Sequence, residues 1–99
     1  MSLLILLQNF GPLPKLKLIA SDMKILINKE KKNIEIFKKT NNIKDIKLSC
    51  HNLKGFFDNK DMFNLYYNLN WNNINGNYDN IDKFLLLVDI EYEKIEKYL

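Results

Sequence analysis

The chain has 99 residues, 46% of them hydrophobic and 27% charged, with a net charge of +3. That length makes one domain, spanning 1–99, and sustains a modest core without metal or disulfide. The mixed, mildly basic charge argues against a nucleic-acid binder, and the single cysteine, Cys50, excludes an intrachain disulfide and a cysteine-based zinc site.

The first residues, Met1 to Leu7, are almost wholly apolar and are followed by Gln8. They fall well short of the ~20 residues needed to span a bilayer. No basic residue precedes them and no small-residue cleavage site follows closely, so a secretory signal is not expected. A short leading helix packed on the rest of the protein is the simplest reading, with no membrane insertion. The sole cysteine fits a reducing, cytoplasmic setting.

Gly11-Pro12-Leu13-Pro14 ends that helix and starts the next, since proline is tolerated in a first helical turn. From about Leu13 to Thr40 there is no glycine and no further proline. Leu16, Ile19, Met23, Leu26, Ile27, Ile34 and Phe37 recur at helical spacing. Leu18, Ile25 and Ile36 form a second stripe, which predicts neighbours on two sides. Thr40-Asn41-Asn42 breaks the pattern and offers capping side chains.

A clean buried seam follows at Ile43, Ile46, Cys50, Leu53 and Phe57. Asp58 to Asp61 reads as a turn, and Met62, Leu65, Tyr66 and Leu69 as another helix. Asn75-Gly76 marks a turn in an Asn-rich stretch. The last helix starts near Asp79, with Ile81, Phe84, Leu85, Val88, Tyr92, Ile95 and Leu99 on its inner face. The expected fold is all-α: an antiparallel four-helix bundle with a short extra N-terminal helix.

The single histidine lies in His51-Asn52-Leu53-Lys54-Gly55. A helix turns about 100° per residue, which places His51 roughly 120° from the middle of the apolar seam and towards solvent. Lys54 and Gly55, at the third and fourth positions onward, are its surface neighbours on such a helix. Imidazole is partly neutral at cellular pH and free to act as a nucleophile. Lys54 is suited to set a charge beside a phosphoryl group. Gly55 costs about 1 kcal/mol against alanine inside a helix, a cost easier to understand if another protein must approach closely there.

His51-Asn52-Leu53-Lys54-Gly55 resembles the His-x-Leu-Lys-Gly signature of histidine-containing phosphotransfer domains. The likeness covers effectively the whole chain: a short helix, a glycine-containing turn at Gly11, a long helix with a large apolar residue at Met23, a polar break, the motif helix and two more helices. It implies that His51 takes a phosphoryl group from a receiver-domain aspartate or a kinase and passes it to another receiver aspartate. Lys54 would stabilise the phosphoryl charge and Gly55 would give the receiver clearance. Such a protein is a phosphocarrier without kinase activity of its own. It carries no cofactor, since the partner receiver supplies Mg²⁺. Its partners would be response-regulator receiver domains, a sensor histidine kinase, or both, and the isolated domain is expected to be a monomer.

The chain departs from the family pattern after Gly55, where Phe56, Phe57, Asp58 and Asp61 stand in place of small residues and a further glycine. Asn52 stands where Thr or Ser is common. These differences motivate an alternative: a helical docking module that binds receivers without carrying phosphate. On the motif helix Lys44, Lys47 and Leu48, with Asp58 just beyond it, share the His51 side and form the candidate docking face. Cys50 adjoins His51, but helix neighbours point about 100° apart, so the two form no dyad. Tyr66, Tyr67, Trp71 and Tyr78 read as core and rim. Asp79, Asp82, Asp89, Glu91 and Glu93 do not match a metal loop.

Overall fold

The chain breaks into helices where asparagine takes over from its apolar stripes. The computed structural model describes residues 13–98, with side-chain surroundings from 17 to 97. Among the described residues there are four α-helices and no strand: α1 (Leu13–Lys39), α2 (Ile43–Lys54), α3 (Lys60–Asn68) and α4 (Asp79–Tyr98). A single 3₁₀ turn, Trp71–Asn73, follows α3. The fold is all-α. The expected leading helix lies outside the described residues.

Asparagines make the corners. Asn41 takes a positive φ of 52°, which ends α1, a conformation asparagine tolerates better than most residues. Asn42 caps α2: its side-chain oxygen accepts from the Asp45 backbone N–H at 3.3 Å and its amide donates to the Asp45 carboxylate at 2.7 Å. Asn59 caps α3 by accepting from the Met62 N–H at 2.9 Å. Asn75 and Gly76, both at positive φ, turn the chain into α4. A side-chain cap of this kind contributes about 1 kcal/mol.

α1 and α4 run antiparallel, pinned by Lys24–Glu96 (3.1 Å), Lys31–Asp89 (2.7 Å) and Lys38–Asp82 (2.5 Å). Each step is two helical turns on both helices, so one edge of α1 faces one edge of α4 throughout. The Tyr92 hydroxyl adds a bond to the Ala20 carbonyl at 3.0 Å. α2 folds back along α1 and touches α3, the 3₁₀ turn and α4 as well, which makes it the central helix. Ile46, Cys50 and Leu53 of α2 are buried with Met23, Ile27 and Ile34 of α1, Met62 of α3, and Ile81, Phe84 and Val88 of α4.

Two expectations for α1 fail. Among the described residues Leu18, Ile25 and Ile36 have no neighbouring helix, and they are 64%, 64% and 57% exposed. α1 meets α2 and α4 on its other side, and no described element crosses this face. Within the main stripe, Ile19 and Leu26 are also exposed, while Ala20, too small to stand out in an apolar pattern, is buried. No helix among the described residues is long and apolar enough to cross a membrane.

Candidate functional site

The Ile43–Leu53 seam turns one side of α2 inward, so residues on the other side face solvent. His51 and Leu48 are exposed there, Leu48 at 58%. Lys44, Asp45, Lys47, Leu48 and His51 line a shallow, mostly apolar hollow of about 250 Å³ whose remaining wall is Tyr66 of α3. Asp58 is exposed in the turn after α2 but does not line this hollow. The docking residues expected from the helical wheel therefore gather at Lys44, Lys47 and Leu48, with Asp58 set apart from them.

α3 crosses the C-terminal end of α2 and brings a cluster of rings that α2 alone does not reveal. Phe63, Tyr66 and Tyr67 share one face of α3, at positions i, i+3 and i+4. The Tyr66 ring lies 5.9 Å from the His51 ring, tilted by 49°. It also meets Tyr67 at 5.0 Å and Trp71 at 5.5 Å. The Trp71 indole N–H donates to the Tyr66 carbonyl at 3.0 Å, closing the end of α3 and fixing the ring cluster to it.

Lys54 is corrected by this arrangement. It was expected as an open surface neighbour of His51, but the residue is only 8% exposed. Its ammonium sits over Phe63 at 5.6 Å, Tyr66 at 5.2 Å and Tyr67 at 5.3 Å. A wheel drawn on one helix fixes angles to that helix's own seam and is blind to a neighbour that covers the flank. Among the described residues Lys54 has no carboxylate partner. No fully buried side-chain nitrogen or oxygen among the described residues lacks a hydrogen bond, so the ammonium keeps a contact with solvent. Cation–π contacts of this kind contribute about 0.5–2 kcal/mol, more as water is excluded.

Gly55 is also corrected. It stands just past the last residue of α2 as its C-cap, at φ −67° and ψ −20°. A helix-interior cost does not apply, and this backbone suits any residue. A Cβ there would meet Asn52 O at 3.4 Å and His51 O at 3.8 Å, ordinary contacts. Nothing within the described residues requires glycine. The chain leaves α2 by two short turns, Phe56 N–H to Leu53 O and Phe57 N–H to Lys54 O, which carry Phe57 back into the core. The aromatic pair after Gly55 thus serves as core filling.

Cys50 faces inward, away from His51, and burial pushes its thiol up to about 12, helped by the nearby Glu30 carboxylate. It is no nucleophile at neutral pH. Burial, with Tyr67 and Cys50 nearby, raises the Tyr66 phenol above its ordinary value, so it stays neutral beside the imidazole. No group of His, Cys, Asp and Glu suited to hold a metal occurs among the described residues. No protein-family model, no curated protein and no solved structure matches the chain.

Proposed function

We propose that this protein is a phosphocarrier of a two-component relay, a histidine phosphotransfer domain in which His51 carries the phosphoryl group. The observation that carries the reading is the exposed His51 on the outer side of α2, within His51-Asn52-Leu53-Lys54-Gly55, beside a hollow that offers both apolar and cationic contacts. The four helices are read as the antiparallel four-helix bundle of that family, working in the cytoplasm as a monomer.

In the transfer, a ring nitrogen of His51 forms an N–P bond as the acyl O–P bond of a receiver aspartyl phosphate breaks. The carboxylate leaves with the electron pair, and the imidazole proton passes to solvent. The onward step is the reverse, onto a second receiver. The receiver's Mg²⁺ and acidic pocket handle its own carboxylate. This chain contributes a fixed nucleophile, a cation at Lys54 and a surface for docking, in keeping with phosphoryl transfer as positioning and charge stabilisation. Leu48 and the flanking Lys44 and Lys47 suit an acidic, partly apolar receiver face.

The test is transfer from receiver domains of the same genome, charged with a small-molecule phosphodonor, to wild type and His51→Gln. Acid-labile, alkali-stable phosphate on the wild type alone is the expected result. Tight binding of charged, well-folded receivers with no transfer would instead favour the phosphate-free docking module.

A further inference from the structure

Tyr66 meets both His51 and Lys54. Its ring centroid is 5.9 Å from that of the imidazole and 5.2 Å from the ammonium. Elsewhere Lys24, Lys31, Lys38 and Lys94 each pair with Glu or Asp within 3.1 Å, and Lys24 and Lys38 lie over the Tyr92 and Tyr78 rings as well. At the His51 end Lys54 and Lys47, the latter over Trp71 at 5.9 Å, have rings and, among the described residues, no carboxylate. The difference matters chemically. A carboxylate holds an ammonium by cancelling its charge, whereas an aromatic face attracts it through a quadrupole and leaves the net charge intact.

We propose that Tyr66, assisted by Phe63 and Tyr67, is a positioning residue that holds the Lys54 ammonium on the same ring that meets His51, with no carboxylate partner among the described residues, so that the cation is in place when a phosphoryl group reaches the imidazole. This rests on the phosphocarrier reading. The long lysine stem then loses its rotamer freedom on folding rather than at the moment of transfer. The ammonium has no anion to leave before it meets phosphate oxygens. The charged groups of the hollow are Lys44, Asp45 and Lys47; Lys54 lies outside it, against the three rings of Phe63, Tyr66 and Tyr67.

The experiment uses the full chain and phosphoramidate as the donor. A ring nitrogen of His51 forms the new N–P bond as the donor's P–N bond breaks, and ammonia leaves with the imidazole proton as ammonium. Label on His51 is followed by phosphorus NMR, and the Lys54 ε-methylene by carbon–proton NMR, where ring currents move it upfield. Tyr66→Phe should keep both the Lys54 signal and the labelling rate. Tyr66→Leu should release the signal and slow labelling by about tenfold, the loss expected for one displaced charge contact in a transition state. Lys54→Met should slow the wild type but add little to Tyr66→Leu, because the two changes remove the same interaction.

Tyr67 is 69% exposed, so Tyr67→Leu perturbs the ring cluster without risk to the core and should move both readouts in the same direction. Should Tyr66→Leu fail to fold, the Tyr67 variant decides. Label as fast as wild type in a folded variant whose Lys54 signal has been released would overturn the proposal alone. A wild type that takes no phosphate from phosphoramidate or from any charged receiver would overturn the phosphocarrier reading and this proposal with it.

Discussion

The α1–α4 edge and the His51 end of α2 both present lysines over aromatic rings, and they differ in whether a carboxylate joins them. Along α1–α4 the cations are spent on structure: Lys24, Lys31 and Lys38 are matched by Glu96, Asp89 and Asp82. Around His51 the cations Lys47 and Lys54 lie on rings, and Lys44 lines the open hollow. Lysine is thus a clamp on one side and an available charge on the other, and only the residues facing it decide which. Net charge cannot carry this distinction; pairing does.

Three changes sharpen the comparison, beginning with the largest effect. Leu53→Ala removes a fully buried side chain from the seam beneath His51 and should cost about 2–5 kcal/mol in denaturant unfolding. It should damage both ends together, because α2 contacts every other described helix. Destabilisation below about 1 kcal/mol would mean that α2 is not central to the core.

Lys38→Met tests the clamp side and should cost about 1 kcal/mol. Burial by itself would lower the Lys38 pKa, but its bonds to Asp82 and Glu35 outweigh burial and raise it above the ordinary 10.5. The stabilisation is therefore fully present below pH 10.5 and is lost as pH climbs through the raised folded value. The stability gap between wild type and Lys38→Met should close in that alkaline window. Tyr66 and Tyr92, whose phenols are raised chiefly by burial, add to alkaline unfolding in both proteins and cancel in the difference. A gap that persists unchanged in strong alkali would remove the ion pair as its cause.

Gly55→Ala gives the smallest change in stability, a gain of about 0.4–1 kcal/mol, because its φ is ordinary and a Cβ has room. On the phosphocarrier reading the same substitution should slow transfer from a charged receiver while leaving labelling by phosphoramidate intact. Loss of both rates together would show that the glycine matters to the imidazole itself rather than to the approach of a partner.

The helices were legible because their breakers are. Gly11 to Pro14, Asn41-Asn42 and Asn75-Gly76 bound apolar stripes of 3.6-residue period, and α1, α2 and α4 follow them closely. The outward turn of His51 was legible from the seam on its own helix. What one helix cannot report is the neighbour across from it. That Phe63, Tyr66 and Tyr67 would land on Lys54 depends on how α3 crosses α2, and an i, i+3, i+4 run of aromatics so near the motif was the available signal. The same gap explains the second stripe of α1: Leu18, Ile25 and Ile36 are periodic, yet no described helix reaches them. Gly55 was misplaced by one residue, enough to change a helix-interior penalty into an unstrained cap.

Cys50 has a use that its inertness creates. It is the only thiol, it is 1% exposed, and it sits on the inner side of α2 next to His51. A thiol reagent can reach it only when the core opens, so its rate of modification is a clock for that opening, timed at the residue adjoining the imidazole. On the phosphocarrier reading, the clock read with and without a bound receiver or a phosphoryl group would show whether occupancy at the surface tightens the helix beneath it, with no label added to the exposed side of α2.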